Sequence, residues 1–385
     1  MRLLVAGGGT GGHVFPGIAL AEEVVGRHPD NDVVFVGTSR GLEAKVVPEA
    51  GFPIELIEVK GLKGKGLSAF LSSLLLLPRA FLQSIRILKK WRPDVVVGVG
   101  GYASGPVVLA AWLLRIPTAV QEQNARAGFT NRVLGSFVKA VFTAFPEAND
   151  QFPPRKVHQL GNPIRRTLME NFMRPDTPHP EPRVLVFGGS QGAHALNMRV
   201  IEALPHLADL RERIRFTHQT GARDREQVEK GYAACGFLPD VREFISDMST
   251  AYAECDLVVC RAGATTIAEL TVCKRASILI PFPAAADNHQ VVNARSLADA
   301  GAAVMIEERD LTGELLAREI RGLLASPERR ERMVRAAGLV GAPQASSEIA
   351  AVLSDLVRRR WGSPAGRPRA AGEKPVRPVL PGGSP

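Results

Sequence analysis

His13 stands one step past a run of glycines, and an imidazole with an ordinary pKa of about 6.5 can take a proton near neutral pH. The stretch reads MRLLVAGGGTGGHVFPGIAL, in which Gly7, Gly9 and Gly12 satisfy GxGxxG and Thr10 lies among them. Glycines in such a turn permit positive φ and a close backbone approach, and the helix N-terminus behind them favours phosphate. His13 is therefore a candidate general base, with a capping or packing histidine as the competing reading. Thr10 can donate to a phosphate or hold the turn. The same glycines fit a nicotinamide dinucleotide site. Such a site also needs an Asp or Glu about 20 residues on, at the end of the second strand, to hold a ribose. That strand ends VVFVGTSRG without a carboxylate, and only Arg40 keeps an NADP reading open.

A second phosphate signal lies in VVCRAGATTIAEL, where Gly263, Ala264, Thr265 and Thr266 open a helix directly after a strand. Backbone donors there can meet a diphosphate. Glu269, one turn further in, can take both hydroxyls of a ribose or simply favour the helix N-terminus. PFPAAADNHQVVNA groups Asp287, Asn288, His289, Gln290 and Asn293, and QEQNARAGFTNR groups Glu122, Gln123, Asn124 and Asn131. Sugar hydroxyls demand many directed hydrogen bonds, which such clusters supply. GVGGYASGP adds flexible backbone after a strand, with Tyr102 and Ser104. Asp30-Asn31-Asp32 matches the metal-carrying DxD pattern, but just ahead of a strand it reads as a solvated loop. The absence of GxxxxGK[ST] disfavours a nucleoside triphosphatase.

These residues need a scaffold that ends strands in loops. Short apolar runs at residues 2–6, 33–37, 54–59, 94–99, 118–121 and 140–143 alternate with helical patterns, and the theme restarts at 183–187, 214–219, 241–244, 256–260, 277–281 and 303–306. That alternation predicts parallel sheets with crossover helices. The proline-rich NFMRPDTPHPEPR between the halves reads as a linker. LLVAGGGTGGH and VLVFGGSQGAH repeat one device: strand, glycine loop, histidine, helix. In open α/β sheets ligands sit at the carboxyl ends of the strands, where both loops would lie.

At 385 residues with 45% hydrophobic content, the chain has enough material for two domains. The net charge of +9 implies an acidic partner, whether nucleic acid, an anionic membrane face or phosphorylated ligands. Cys235, Cys255, Cys260 and Cys273 form no CxxC pair and read as structural thiols. No signal-peptide pattern opens the chain, so a cytoplasmic compartment is expected. Residues 67–93, LSAFLSSLLLLPRAFLQSIRILKKWRP, are split by Pro78 into parts too short to span a bilayer. The second part mixes Phe81, Leu82, Ile85 and Leu88 with Arg79, Arg86, Lys89, Lys90 and Arg92. It reads either as an apolar surface rimmed by positive charge, suited to an anionic interface, or as an ordinary core helix.

In order along the chain, GGGTGGHVFPGIALAEEV, GGYASGP, QEQNARAGFTN, GNPIR, FGGSQGAHALN, CRAGATTIAEL and ADNHQVVNA resemble the MurG family of bacterial peptidoglycan N-acetylglucosaminyltransferases. The resemblance covers about residues 1–360. It implies an α/β GT-B fold of two Rossmann-like domains with an interdomain cleft. Residues 1–162 would form an N-terminal, acceptor- and membrane-side domain, with a closing helix at 345–361 packing back on it. Residues 163–344 would form the UDP-sugar domain, and 362–385 a disordered tail.

The implied donor is UDP-N-acetylglucosamine. The implied acceptor is the lipid-linked undecaprenyl-diphospho-muramoyl-pentapeptide (lipid I), with inversion at the anomeric centre, no cofactor and no active-site metal. By position, Thr10, Gly11 and Gly12 match the N-terminal loop that contacts the donor, and His13 the family's proposed base. Asn124 matches a donor-contacting asparagine, and Arg165 and Ser190 flank the uridine diphosphate. Ile245 matches the backbone site for uracil and Glu269 the ribose carboxylate. Ala264, Thr265 and Thr266 match the diphosphate-binding helix start, and His289 and Gln290 the sugar-hydroxyl contacts. One departure is visible: Gln121 stands where the family reads His before EQN. The family's acceptor also implies peripheral docking on the anionic cytoplasmic face of the cell membrane, with no nucleic-acid partner.

Overall fold

The computed structural model describes residues 1–59, 67–172, 179, 181–189, 192–285, 288–363 and 365–367, with backbone alone at 67–76 and 170–172. The chain forms two compact units, Met1–Arg166 with Gln344 onward, and Thr167–Pro343.

The first unit carries β1 (Arg2–Gly7), α1 (Gly11–Arg27), β2 (Asp32–Gly37), α2 (Glu43–Glu49), β3 (Ile54–Leu56), α3 (Leu67–Trp91), β4 (Val95–Gly100), α4 (Ser104–Leu113), β5 (Thr118–Glu122), α5 (Phe129–Gly135), β6 (Ala140–Thr143) and β7 (Val157–Gln159). Its seven strands pair in the order β3-β2-β1-β4-β5-β6-β7, all parallel. The order reverses between β1 and β4, so the switch point lies at their carboxyl ends, where doubly wound sheets bind ligands.

Strand residues alternate between two cores. Leu3, Val5, Val97 and Phe142 pack with Val14, Ile18 and Ala21 of α1 on one face. Leu4, Ala6, Val96 and Val120 pack with Val107, Val108 and Ala111 of α4 on the other. Both faces are covered, which is why these strands read as unbroken apolar runs.

The second unit carries α6 (Arg166–Phe172), which straddles the boundary, then β8 (Arg183–Phe187), α7 (His194–Ala203), β9 (Arg215–Gln219), α8 (Arg225–Ala234), β10 (Asp240–Arg242), α9 (Met248–Ala253), β11 (Leu257–Cys260), α10 (Ala264–Val272), β12 (Ala276–Leu279), α11 (His289–Asp299), β13 (Val304–Met305), α12 (Gly313–Ala325) and α13 (Pro327–Val340). Its six strands pair in the order β10-β9-β8-β11-β12-β13, again all parallel, with the reversal between β8 and β11.

The last helix, α14 (Ala345–Trp361), belongs to the first unit, where Ile349, Ala350, Leu353 and Val357 join the α1-side core. Gly362 ends it in a left-handed conformation at φ 78, as C-terminal glycines commonly do. Buried Asp94 then fastens three segments. It accepts from the Arg2 N–H at 2.8 Å and the Arg367 N–H at 3.1 Å, and its carbonyl accepts from Trp361 Nε1 at 3.1 Å. Residues 365–367 of the tail are thus held on the unit, and 368–385 lie outside the described residues.

Three local expectations change. Pro78, expected to split its segment, sits inside one continuous helix, α3. A proline removes one i→i−4 bond and crowds the preceding turn. Here it is exposed, and the turns after it are anchored by buried Ala80, Ser84, Ile87 and Leu88. β7 had no apolar run to announce it, being three residues long and half-exposed. Asn31 and Asp32 are buried rather than solvated: Asn31 Oδ1 accepts from the N-terminal ammonium at 2.8 Å and its Nδ2 donates to the Val24 carbonyl at 2.6 Å. Among the described residues, no helix is long and apolar enough to cross a membrane.

Candidate functional site

At the first switch point β1 runs into three glycines with φ of 150, 148 and 96 at Gly7, Gly8 and Gly9. A Cβ at Gly7 would fall 2.3 Å from the Gly100 carbonyl oxygen, so the two strand ends approach more closely than any side chain permits. Thr10 caps α1 from an extended conformation and its side chain makes no capping hydrogen bond. The exposed hydroxyl is thus not needed to hold the turn. The Thr10 carbonyl accepts instead, from the N–H groups of His13 at 3.1 Å and Val14 at 3.2 Å. Gly11, Gly12 and His13 form the first turn of α1 and are half-buried.

Gly100 leaves the space that the His13 ring fills, since a Cβ there would lie 2.8 Å from its Nδ1. His13 Nδ1 lies 3.2 Å from Gln123 Oε1, and Gln123 Nε2 donates to the Val99 carbonyl at 3.0 Å. That second bond orients the amide, so its oxygen faces the imidazole. The network therefore assigns the proton to Nδ1 and the basic lone pair to Nε2.

Beside it, buried Glu122 organises the loop after β5. Its carboxylate accepts from the Asn124 N–H at 3.0 Å, Asn124 Nδ2 at 3.2 Å, the Gly128 N–H at 3.0 Å and Asn131 Nδ2 at 2.9 Å. Asn124 is thereby held in a fixed pose. Gln121, the departure from the family pattern, is buried and donates through Nε2 to the Gly161 carbonyl at 3.2 Å. Arg165 packs its guanidinium on Phe15 of α1, 5.0 Å from the ring centroid, within the first unit.

Glu43, at the start of α2, was not singled out from the sequence. It is 1% exposed and reaches under the glycine loop to accept the Gly9 N–H at 2.6 Å. The end of β2 itself carries no carboxylate, and Glu43 lies six residues past it.

In the second unit, the loop after β8 holds Gly189 at φ 98 and Gly192 at φ 74; Ser190 lies outside the described residues. Gln219, at the end of β9, ties this loop to the Ile245 backbone. Its Nε2 donates to the Gly189 carbonyl at 2.7 Å, and its Oε1 accepts the Ile245 N–H at 2.8 Å. The α10 N-terminus follows β11, with Gly263 as cap, Ala264 buried and Thr265 and Thr266 half-buried in the first turn. Glu269 is buried and accepts from the Tyr252 hydroxyl at 3.1 Å. Burial pushes that tyrosine's ionisation well up, so it remains a donor.

Arg261, also missed, bonds Glu308, donates to the Ile280 carbonyl at 3.2 Å and covers the Phe282 ring at 5.4 Å. His289 begins α11, and Gln290 Oε1 accepts the Phe282 N–H at 2.9 Å. The Gln290 oxygen therefore holds its own loop.

A buried relay backs the second loop. Asn197 Nδ2 donates to Asp224 Oδ2 and to the Thr220 carbonyl, both at 2.9 Å, so Asn197 Oδ1 accepts from His218 Nε2 at 3.1 Å. His218 Nδ1 then accepts from Tyr232 at 3.2 Å. Burial pushes the His218 pKa down to about 3, against an opposing pull from Asp224, so the ring is neutral. Burial raises the Asp224 pKa, but hydrogen bonds from His194 and Asn197 outweigh it and hold the carboxyl below its usual range. Burial raises the thiols of Cys260 and Cys273 above theirs, which keeps both inert.

Two all-parallel, doubly wound sheets, each with a glycine loop at its switch point, match the GT-B fold, and the comparisons add the class of glycosyltransferase. The sequence models of the glycosyltransferase family 28 N-terminal and C-terminal domains match residues 3–143 and 183–349. A protein of Anaeromyxobacter dehalogenans (strain 2CP-C) is 81% identical over 378 residues, 98% of this chain and 99% of its own length. One of Myxococcus xanthus (strain DK1622) is 62% identical over 369 residues, 96% of each chain. Both are named UDP-N-acetylglucosamine–N-acetylmuramyl-(pentapeptide) pyrophosphoryl-undecaprenol N-acetylglucosamine transferase. The crystal structure of Acinetobacter baumannii MurG superposes with a TM-score of 0.75 at 32% identity, covering 92% of this chain and 99% of that one. The chain belongs to the MurG family within glycosyltransferase family 28.

Proposed function

We propose that this chain transfers N-acetylglucosamine from UDP-N-acetylglucosamine to the muramoyl 4-hydroxyl of undecaprenyl-diphospho-muramoyl-pentapeptide, releasing UDP. The observation that carries this reading is 81% identity along 98% of the chain to a protein named for that transfer. In the mechanism that fits best, the acceptor hydroxyl attacks the anomeric carbon as its proton passes to His13 Nε2. The bond from that carbon to the diphosphate oxygen breaks with inversion, and UDP leaves. Charge developing on the diphosphate is met by backbone donors of the α10 N-terminus at Ala264, Thr265 and Thr266, and by the loop that includes Ser190.

Glu269 serves the ribose, the Ile245 backbone the uracil, and His289 and Gln290 the sugar hydroxyls. Thr10, Gly11, Gly12, Asn124 and Arg165 act from the first unit. These assignments rest on matched positions together with the local geometry. Two of them act through the groups left over: with the Ile245 N–H on Gln219 and the Gln290 oxygen on Phe282, the Ile245 carbonyl serves as acceptor and the Gln290 amide nitrogen as donor.

The lipid acceptor calls for docking on an anionic membrane at its cytoplasmic face. Support comes from the exposed apolar residues Leu82, Trp112, Leu113 and Phe137, of which Trp112 and Phe137 pack edge-on at 5.1 Å. The exposed bases Arg86 and Lys89 of α3 supply positive charge for an anionic head-group layer. Leu88 and Ile87 belong to the core, so α3 serves both roles. Phosphate recognition then belongs to donor, acceptor and lipid head groups rather than to nucleic acid.

The test is UDP release from UDP-N-acetylglucosamine with and without the lipid-linked acceptor. Acceptor-dependent release is expected, and release at the same rate without acceptor would contradict the reading.

A further inference from the structure

We infer that Glu43 is the built-in anion of the first glycine loop and the positioning residue that sets His13 for transfer; the inference rests on the proposed transferase reading. The Glu43 carboxylate takes three donors: the Gly9 N–H at 2.6 Å, the Thr38 N–H at 2.8 Å and the Thr38 hydroxyl at 2.9 Å. Three glycine backbones wall it in. A Cβ would fall 2.1 Å from its carboxyl carbon at Gly8, 2.4 Å from its Cγ at Gly37 and 2.0 Å from its Oε2 at Gly41.

Glycine loops ahead of a helix attract an anion because their N–H groups point at it. In this loop the Gly9 N–H meets the chain's own carboxylate, and the Gly8 N–H donates to the Gly100 carbonyl at 3.3 Å. A diphosphate brought to the same cradle would meet a fixed negative charge. The GxGxxG pattern is therefore filled from within. The Gly9 N–H is thereby committed to Glu43, which fixes the turn that presents His13 to the acceptor hydroxyl. The mechanical link is short: Gly9 precedes Thr10, whose carbonyl receives the His13 N–H at 3.1 Å, and Gly100 borders the imidazole ring.

Glu43→Gln in the full chain separates this role from packing. The amide fills the same volume but offers only one acceptor oxygen, so a donor must face either Gly9 or Thr38. The expectation is a fall in kcat of about 10- to 100-fold, as misplacing a catalytic group by an ångström produces. The KM for UDP-N-acetylglucosamine and the Kd for UDP should stay within about twofold of wild type, because a positioning defect does not remove uniform binding. A wild-type kcat, or a kcat loss matched by an equal loss of UDP affinity, would overturn the assignment.

Amide hydrogen exchange on the wild-type chain is the second measurement and does not depend on the variant folding. The Gly9 amide should be protected, and exchange at the unprotected rate would overturn the proposal. If the wild type lacks acceptor-dependent UDP release, the functional reading fails, while Gly9 exchange still decides the loop's built-in anion.

Discussion

Replacing Glu122 with Ala removes one buried carboxylate that accepts from four donors: the Asn124 N–H, Asn124 Nδ2, the Gly128 N–H and Asn131 Nδ2. Hydrogen bonds to a charged group are worth about 1.5–3 kcal/mol each, but the buried charge disappears with them and offsets part of that sum. Asn131 Nδ2 keeps the Gln121 carbonyl at 2.9 Å, so three orphaned neutral donors at about 1 kcal/mol each give a net cost of about 3 kcal/mol. At about 2–4 °C per kcal/mol for a domain of this size, the first unit's unfolding midpoint should fall by roughly 10 °C. Glu122→Gln keeps one oxygen and should fall about half as far. Differential scanning calorimetry of the ligand-free full chain reads this. An Ala variant within about 2 °C of wild type, or a Gln variant below Ala, would refute the account of Glu122 as the loop's anchor.

Gln123→Leu removes the acceptor that assigns the His13 proton to Nδ1, and kcat should drop about tenfold or more with donor KM little changed; an unchanged kcat in steady-state UDP release would count against the tautomer assignment. His218 gives a pH prediction whose sign follows from its depressed pKa of about 3. The unfolded ring, near 6.5, binds a proton that the folded ring refuses, so stability is retained above about 6.5 and lost as pH falls towards 3. His218→Asn should flatten urea-derived stability against pH by up to about 1.4 kcal/mol per pH unit between about 6 and 4; an unaltered slope would exclude the buried neutral ring. For the membrane surface, Arg86→Glu with Lys89→Glu should weaken co-sedimentation with anionic vesicles at least about tenfold. Arg79 and Lys90 already pair with Glu58 and Glu55 at 3.2 and 2.6 Å, so their reversal should matter less. Equal effects from both pairs, or none from either, would contradict the assignment.

What was legible in the chain was contiguous. LLVAGGGTGGH and VLVFGGSQGAH announce strand, turn and helix within a dozen residues, because the glycine conformations and the helix start are set by neighbours. The doubly wound sheets followed from apolar runs that both faces bury. What stayed hidden depends on partners distant in sequence. Glu43 meets Gly9 across 34 residues, Gln219 meets Ile245 across 26 and Arg261 meets Glu308 across 47. No local pattern marks such pairs. β7 was invisible because a short, half-exposed strand shows no alternation, and Pro78 misled because core packing beyond it overrides the local cost of a helical proline.

The central claim is that His13 is the base for transfer to the lipid-linked acceptor. Acceptor-dependent UDP release by His13→Ala, measured beside wild type with the UDP Kd of each, tests it most directly. The expected result is a kcat lower by about 10²–10⁴-fold with UDP affinity preserved within about twofold. A His13→Ala chain that turns over near the wild-type rate would contradict it.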